Sequence, residues 1–292
     1  MVAHKTRIID GVLERAALGS LADVVRALEL GNTRIGPVRS EKLVFSDPES
    51  AQSLRDVFLE SPDRVSSSYA TLKVRQQNHV ELIFEALQKN RSVSEDEAPC
   101  SVCIRLLDAP VKEILKHDIP HMSIVTRLAL NASERGVQLG LSKPTLYINQ
   151  LEAIFAAYKT YKNKYADKAG IGLEIMVPTV ETLRELLAVK KMAEDAAKLH
   201  GFEKVDYKFG MLLETAEASK HIGELEKEAD FIDRISDSLP RVDLGDSLSL
   251  NDTGRTNSPK DERGLKSGIS SKEPPVADLS AAEVKSAGES MP

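Results

Sequence analysis

The chain has 292 residues, 41% of them hydrophobic, and sets 39 Lys and Arg against 45 Asp and Glu, for a net charge of -6 and a pI near 5.7. That is enough apolar sequence for one substantial core, in one large barrel-type domain or two small ones, while the acidic balance argues against general nucleic-acid binding, which wants clustered Lys and Arg. No run of roughly 18 apolar residues offers a membrane span, MVAHKTRIIDG lacks the apolar stretch of a secretory signal, and Cys100 and Cys103 are too few for a disulfide framework, so a cytoplasmic location is expected.

LADVVRALEL (21–30) carries Leu21, Val24, Val25 and Leu28 on one helical face, with Gly31 placed to end the helix. The β-rich run TRIGPVR follows at once and stops at Arg39. Residues 50–90 read as mostly helical, and Val80, Ile83, Phe84 and Leu87 form a clear stripe in HVELIFEALQK. After the polar loop RSVSEDEAP, VCIRLL resumes a β pattern through Arg105. Residues 121–131 look helical, GVQLG is a short strand candidate, and KPTLYINQLEAIFAAYKTYKNKY makes a long amphipathic helix after Pro144. GLEIMVPTV has the unbroken apolar stretch of a strand buried on both faces. Leu183, Leu186, Leu187, Ala193 and Ala197 share a face of a helix from Glu181 to His200, which Gly201 stops. YKFGMLLET, a helix through Ile222 and Leu225, and ADFI complete a sixth or seventh β/α step. Residues 240–292 hold no aromatic residue and no sustained period, being rich in Ser, Gly, Pro, Asp and Lys; a disordered tail is expected there, after a domain over 1–239.

Strands alternating with helices predict an α/β fold of the (β/α)8 TIM-barrel type, incomplete at its C-terminal end. Charged groups at the carboxyl ends of successive strands are where such folds place their sites. Arg39, Arg105 and Glu214 stand there, which suggests an anionic ligand and a divalent metal. A plainer reading pairs Arg39 with Glu41 and Arg105 with Asp108 as local ion pairs, and leaves Glu214 a solvated carboxylate, since Mg2+ wants more than one protein oxygen or substrate phosphates. The CSVC spacing fits a redox pair or half a zinc site, but no second pair stands at matching distance, so ordinary packed thiols are expected. His117 and His121 are separated by Pro120 and read as loop residues, while His79 and His221 sit in helical segments with no partner in view. No phosphate-loop glycine pattern occurs, and the Tyr and Lys of YKTYKNKYADK read as a solvated helix face.

The order of motifs resembles the C-terminal phosphoenolpyruvate-binding barrel of the PEP-utilising enzymes, a family that includes pyruvate phosphate dikinase. ALELGNTRIGPVRSEKLVF is similar to the family's ALExGAxGIGLxRTExxF, and IRLLDAPVKEILK to its IRLLDPPLHEFLP, a match that favours the dikinase. ASERGVQLGLSKPTLYINQLEAIFAA, IMVPTV, GMLLETAEAS and KEADFI resemble further family segments in the same order. The resemblance covers roughly residues 9–239. It implies that Arg39 and Arg105 embrace a phosphoryl group and a carboxylate, that Arg135 adds a third substrate contact, and that Glu214 is a Mg2+ ligand. The chemistry implied is Mg2+-assisted phosphoryl transfer between phosphoenolpyruvate and a histidine supplied by another domain or chain, with arginines neutralising the phosphoryl and the metal stabilising a pyruvate enolate.

Departures from the family pattern qualify this. A second arginine of the family is Gln138 here; the second metal carboxylate aligns on Ser238, with Asp237 one place away as the candidate; and the family's last strand with its Cys-Gly-Glu segment, its nucleotide-binding domain and its phosphohistidine domain find no counterpart. The alternative implied is a non-catalytic binding or regulatory protein that pairs with a full-length relative. A barrel short of strands is further expected to leave its first and penultimate strands as open edges, and hence to oligomerise or be marginally stable.

Overall fold

A computed structural model describes residues 8–9, 12–15, 17–59, 64–90, 100–116, 131–166 and 170–235. The chain divides into two units, residues 1–240 and 241–292, and every described residue lies in the first. The helix expected at 121–131, His117, His121, Asp237 and the expected tail fall outside the described residues.

β1 (Ile8–Ile9) pairs antiparallel with β2 (Val12–Arg15). In α1 (Leu21–Glu29) the Ser20 hydroxyl accepts from the Asp23 N–H at 3.2 Å, a cap that satisfies one of the free donors of the first turn. Gly31, at φ 79°, ends the helix region as expected. β3 (Arg34–Arg39) leads directly into α2 (Ser40–Ser46), α3 (Pro48–Leu59) and α4 (Val65–Asn90). β4 (Cys100–Arg105) and α5 (Val111–Ile114) follow, then α6 (Gly136–Ser142) and α7 (Pro144–Tyr165). β5 (Ile171–Val177) feeds α8 (Leu183–Leu199), whose Thr182 and Glu185 form a reciprocal capping box. β6 (Tyr207–Leu212), α9 (Ala216–Lys220), α10 (Ile222–Leu225) and β7 (Phe231–Ile235) complete the order.

GVQLG is a helix start, not a strand. Over five residues the alternation of Val137, Gln138 and Leu139 satisfies either period, and burial of Gly136, Val137, Leu139 and Gly140 decides it for the helix. Leu187 is likewise 41% exposed, so the buried face of α8 is carried by Leu186, Val189, Ala193, Ala196 and Ala197.

The sheet runs β1-β2-β7-β6-β5-β4-β3, and from β2 onward every neighbouring pair is parallel. It is curled, and its ends meet. β2 pairs with β7, while Leu18, just beyond β2, donates its N–H to Pro37 O and accepts from Arg39 N–H, each at 2.8 Å, which bridges it to β3. Among the described residues six parallel strands therefore form the curl, short of the eight of a full barrel. The expectation of an open first strand is corrected here: Val12–Arg15 pairs with β7 and Leu18 bonds to β3.

The two faces of the sheet differ. Val102, Ile104, Leu173, Ile175, Val177, Phe209 and Met211 face outward into the large core under the helices. There Phe84 of α4 stacks on Tyr158 and Tyr161 of α7, at 5.3 and 4.8 Å between ring centroids. Inside the curl, Cys103, Met176, Leu212 and Phe231 form a second, small core. Cys100 belongs to the first core and Cys103 to the second. Three residues apart on one strand, the two thiols point to opposite faces and form neither a redox pair nor half a zinc site.

Candidate functional site

Arg39 and Arg105 end neighbouring strands as register partners. How they come to share a face is a matter of one inserted residue. Arg34 partners Ser101 and Arg39 partners Arg105, so five steps along β3 oppose four along β4, with the shift between Ile35 and Val38. Such a bulge re-aims the side chains beyond it. Without it, Arg34 and Arg39 would lie on opposite faces; with it, both follow the inner face. At the base of the curl Arg34 reaches Glu174 at 3.1 and 3.2 Å, and the Ser101 hydroxyl donates to the same carboxylate at 2.9 Å. Gly36 sits in the bulge at φ 112°, where a Cβ would come within 2.5 Å of the Cys103 carbonyl oxygen, so this strand crossing requires glycine.

At the upper rim Arg105 is buried between two carboxylates, Glu41 at 2.5 Å and Asp108 at 3.3 Å. Asp108 is in turn held by Arg135, which donates from Nε and Nη2 at 2.7 and 2.6 Å in a two-point fork. The local pairing of Arg39 with Glu41 is thus replaced by a pairing across strands: Glu41, in the first turn of α2, turns to Arg105. Burial pushes the Glu41 carboxyl above its ordinary range, and the Arg105 charge opposes that rise. The hydrogen bonds from Arg135 to Asp108 raise the guanidinium further still.

Arg39 is half-buried and has no ion-pair or hydrogen-bonded side-chain partner among the described residues; its Nε and that of Arg105 are buried without an acceptor. Buried donors are nearly always satisfied, so two guanidinium N–H groups without an acceptor on adjacent strand ends are unusual; Ser40 Oγ and Glu41 Oε2, at the start of α2, are buried without a partner as well.

Glu214 stands two residues beyond Leu212 and accepts the Thr179 N–H at 2.7 Å. Thr179 is left-handed, at φ 54°, and its Oγ1 accepts the Val137 N–H at 3.0 Å, tying the segment after β5 to the start of α6 beside Arg135. Crowding at the rim raises the Glu214 carboxyl although the side chain is exposed; the Thr179 N–H and the Arg105 and Arg135 charges lower it, and Asp108 raises it, which places all of them in one electrostatic cluster. For a carboxyl so raised, ionisation costs the folded state. The contribution is present below the ordinary carboxyl range and lost as pH rises through the elevated value. Glu214→Gln, which keeps an acceptor for Thr179 and drops the charge, is therefore expected to raise the melting temperature slightly at pH 7, since solvent screens this exposed side chain, and leave it unchanged at pH 4. Equal shifts at both pH values in differential scanning calorimetry would contradict this.

Of the residues singled out in the sequence, Arg39 and Arg105 are register partners, and Arg105, Arg135 and Glu214 are linked electrostatically around Asp108; Asp237 lies outside the described residues. Among the described residues no group of three His, Cys, Asp or Glu side chains is arranged to hold a metal ion. Glu214 has a second carboxylate oxygen beyond the one bound to Thr179, so it fits as a single protein ligand to Mg2+, which takes one or two carboxylates along with ligand oxygens. Thr179 was not visible as a site residue in the sequence, because a left-handed threonine carries no sequence signal. No helix of the described residues is long and apolar enough to cross a membrane.

Residues 9–237 match the family model described as PEP-utilising enzyme, PEP-binding domain. The chain is 27% identical over 270 residues to a pyruvate, phosphate dikinase of Treponema pallidum, covering 79% of this chain and 28% of that one. It is 30% identical over 262 residues to the chloroplastic pyruvate, phosphate dikinase of Flaveria trinervia, covering 80% and 25%. The chain spans about a quarter of the length of these curated relatives. Because the match takes in every strand from β2 to β7 along with Arg39, Arg105, Arg135 and Glu214, the chain belongs to the PEP-binding domain family of the PEP-utilising enzymes.

Proposed function

We propose that the rim binds phosphoenolpyruvate or pyruvate, with Arg39 as the principal anion contact and Arg105 and Arg135 set beside it. The observation that carries this is the register pair Arg39 and Arg105, whose buried Nε–H groups lack acceptors while Arg39 lacks any charge partner among the described residues. A phosphate or carboxylate supplies both the acceptor atoms and the negative charge. In a phosphoryl transfer to a histidine of another domain or chain, Arg39 would hold the migrating group and Glu214 would provide one ligand to Mg2+, with Asp237 the candidate second. Bound there, the metal would neutralise charge on the substrate oxygens.

A second reading, binding without turnover, is favoured by the charge balance of the rim. Arg105 and Arg135 are already neutralised by Glu41 and Asp108, which leaves Arg39 to meet a multiply charged ligand.

Isothermal calorimetry with phosphoenolpyruvate and Mg2+ tests the site. Binding by the wild type, weakened roughly 10- to 150-fold in Arg39→Ala with the fold intact, is the expected result for loss of a charge-assisted contact. Absence of heat in the wild type would remove both readings. Adding a relative's phosphohistidine domain separates them: pyruvate formation supports transfer, and binding with no pyruvate supports the non-catalytic protein.

A further inference from the structure

The peptide group pair around Leu107 is held from below by two side chains that neither the proposed ligand contacts nor the metal uses. Gln150 Oε1 accepts the Leu107 N–H at 2.9 Å, and the Tyr147 hydroxyl donates to the Leu107 carbonyl at 3.0 Å. Both belong to α7, one helical turn apart, and both are buried. Tyr147 is further locked by Gly140, where a Cβ would lie 2.3 Å from its ring, so the helix α6 crosses the tyrosine at the closest possible approach. The residue after Leu107 is Asp108, whose side chain is 0% exposed and which receives Arg135 in a two-point fork and Arg105 at 3.3 Å.

We infer that Tyr147 and Gln150 are positioning residues: by gripping both hydrogen-bonding groups of Leu107 they set the Asp108 carboxylate, and through it the aim of Arg105 and Arg135 at the rim. The effect on binding rests on the reading of the rim as an anion site; the effect on the arginines does not. The physical reason for such a device is local. Residues 106–110 lie between the end of β4 and the start of α5, outside the ladder except for the Leu106 N–H, which donates to Met176 O at 2.9 Å. A loop with no further ladder bonds holds a carboxylate to within a few tenths of an ångström only when its peptide groups are tied by something rigid, and a long helix packed on the sheet supplies that.

The test compares Tyr147→Phe with Tyr158→Phe. Each deletes one buried hydroxyl from the same helix, but the Tyr158 hydroxyl bonds Ile171 and Asp206 carbonyls, each at 3.4 Å, away from the rim. Two readouts are taken on the full chain: the affinity for phosphoenolpyruvate by calorimetry, and the Arg135 Nε–H resonance in 15N NMR, assigned by its loss in Arg135→Lys. Tyr147→Phe is expected to weaken binding about tenfold, the size of one lost hydrogen bond, and to shift or broaden the Arg135 resonance. Tyr158→Phe is expected to do neither. An Arg135 resonance unmoved by Tyr147→Phe, or moved as far by Tyr158→Phe, overturns the inference. Should the wild type bind no phosphoenolpyruvate, the proposed function falls while the Arg135 resonance still decides the clamp. If Tyr147→Phe does not fold, Gln150→Met puts the same question through the Leu107 N–H.

Discussion

Arg105→Met is expected to destabilise the protein by roughly 3–5 kcal/mol, because it strips the counter-charge from Glu41 and takes one of two from Asp108, both buried. Methionine fills much the same volume, so the loss is electrostatic and does not come from a cavity. For a domain of this size, whose total stability is on the order of 5–15 kcal/mol, that is a fall of roughly 6–20 °C in melting temperature. Arg39→Ala supplies the contrast. Arg39 is the register partner of Arg105 but has no charge partner among the described residues, so its removal is expected to spare the fold and weaken the ligand. Adding Glu41→Gln to Arg105→Met should recover part of the loss, since the double substitution removes the stranded charge along with its partner. A fall of under about 2 °C for Arg105→Met would show that Glu41 and Asp108 find solvent or other partners, and would detach Arg105 from the buried network.

Gly136→Ala is the second large effect, expected at roughly 2–5 kcal/mol. Gly136 has φ 55°, where an L side chain costs about 1–2 kcal/mol, and a Cβ there would lie 1.9 Å from Thr179 Oγ1 and 3.0 Å from its Cβ. Relief requires Thr179 to move, and Thr179 is itself left-handed and bonded to Glu214 and Val137. Overpacking of this kind costs about 1–3 kcal/mol more. The damage therefore reaches Glu214 without touching it. A melting temperature within about 2 °C of wild type, with the Thr179 amide resonance unshifted, would mean that the α6 start swings clear of the β5 loop.

Both predictions concern contacts between segments that are far apart in the chain, and that is where legibility in the sequence ended. The stripe of Val80, Ile83, Phe84 and Leu87 was readable because a helix repeats within four residues, and all four are buried as the pattern implied. The apolar run after Gly172 was readable as a strand covered on both faces for a similar reason: Leu173, Ile175 and Val177 enter the outer core and Met176 the inner one. Over the five residues of GVQLG the two periods overlap, and local sequence had no means of choosing between them. The plain reading of Arg39 with Glu41 failed because nearness in sequence says nothing about which neighbouring strand a helix's first turn will face.

Residue types and their order were sufficient, by themselves, for the β/α alternation, the place of the arginines at strand ends, and the family. Three things were decided in the tertiary structure: the bulge that turns Arg39 to the same face as Arg105, the pairing of β2 with β7 that closes the curl, and the transfer of Glu41 onto Arg105, while the local pair of Arg105 with Asp108 stands as its spacing implied. Each depends on the register between strands or on which groups lose water together. Such quantities belong to pairs of distant segments, and no single stretch of chain encodes them.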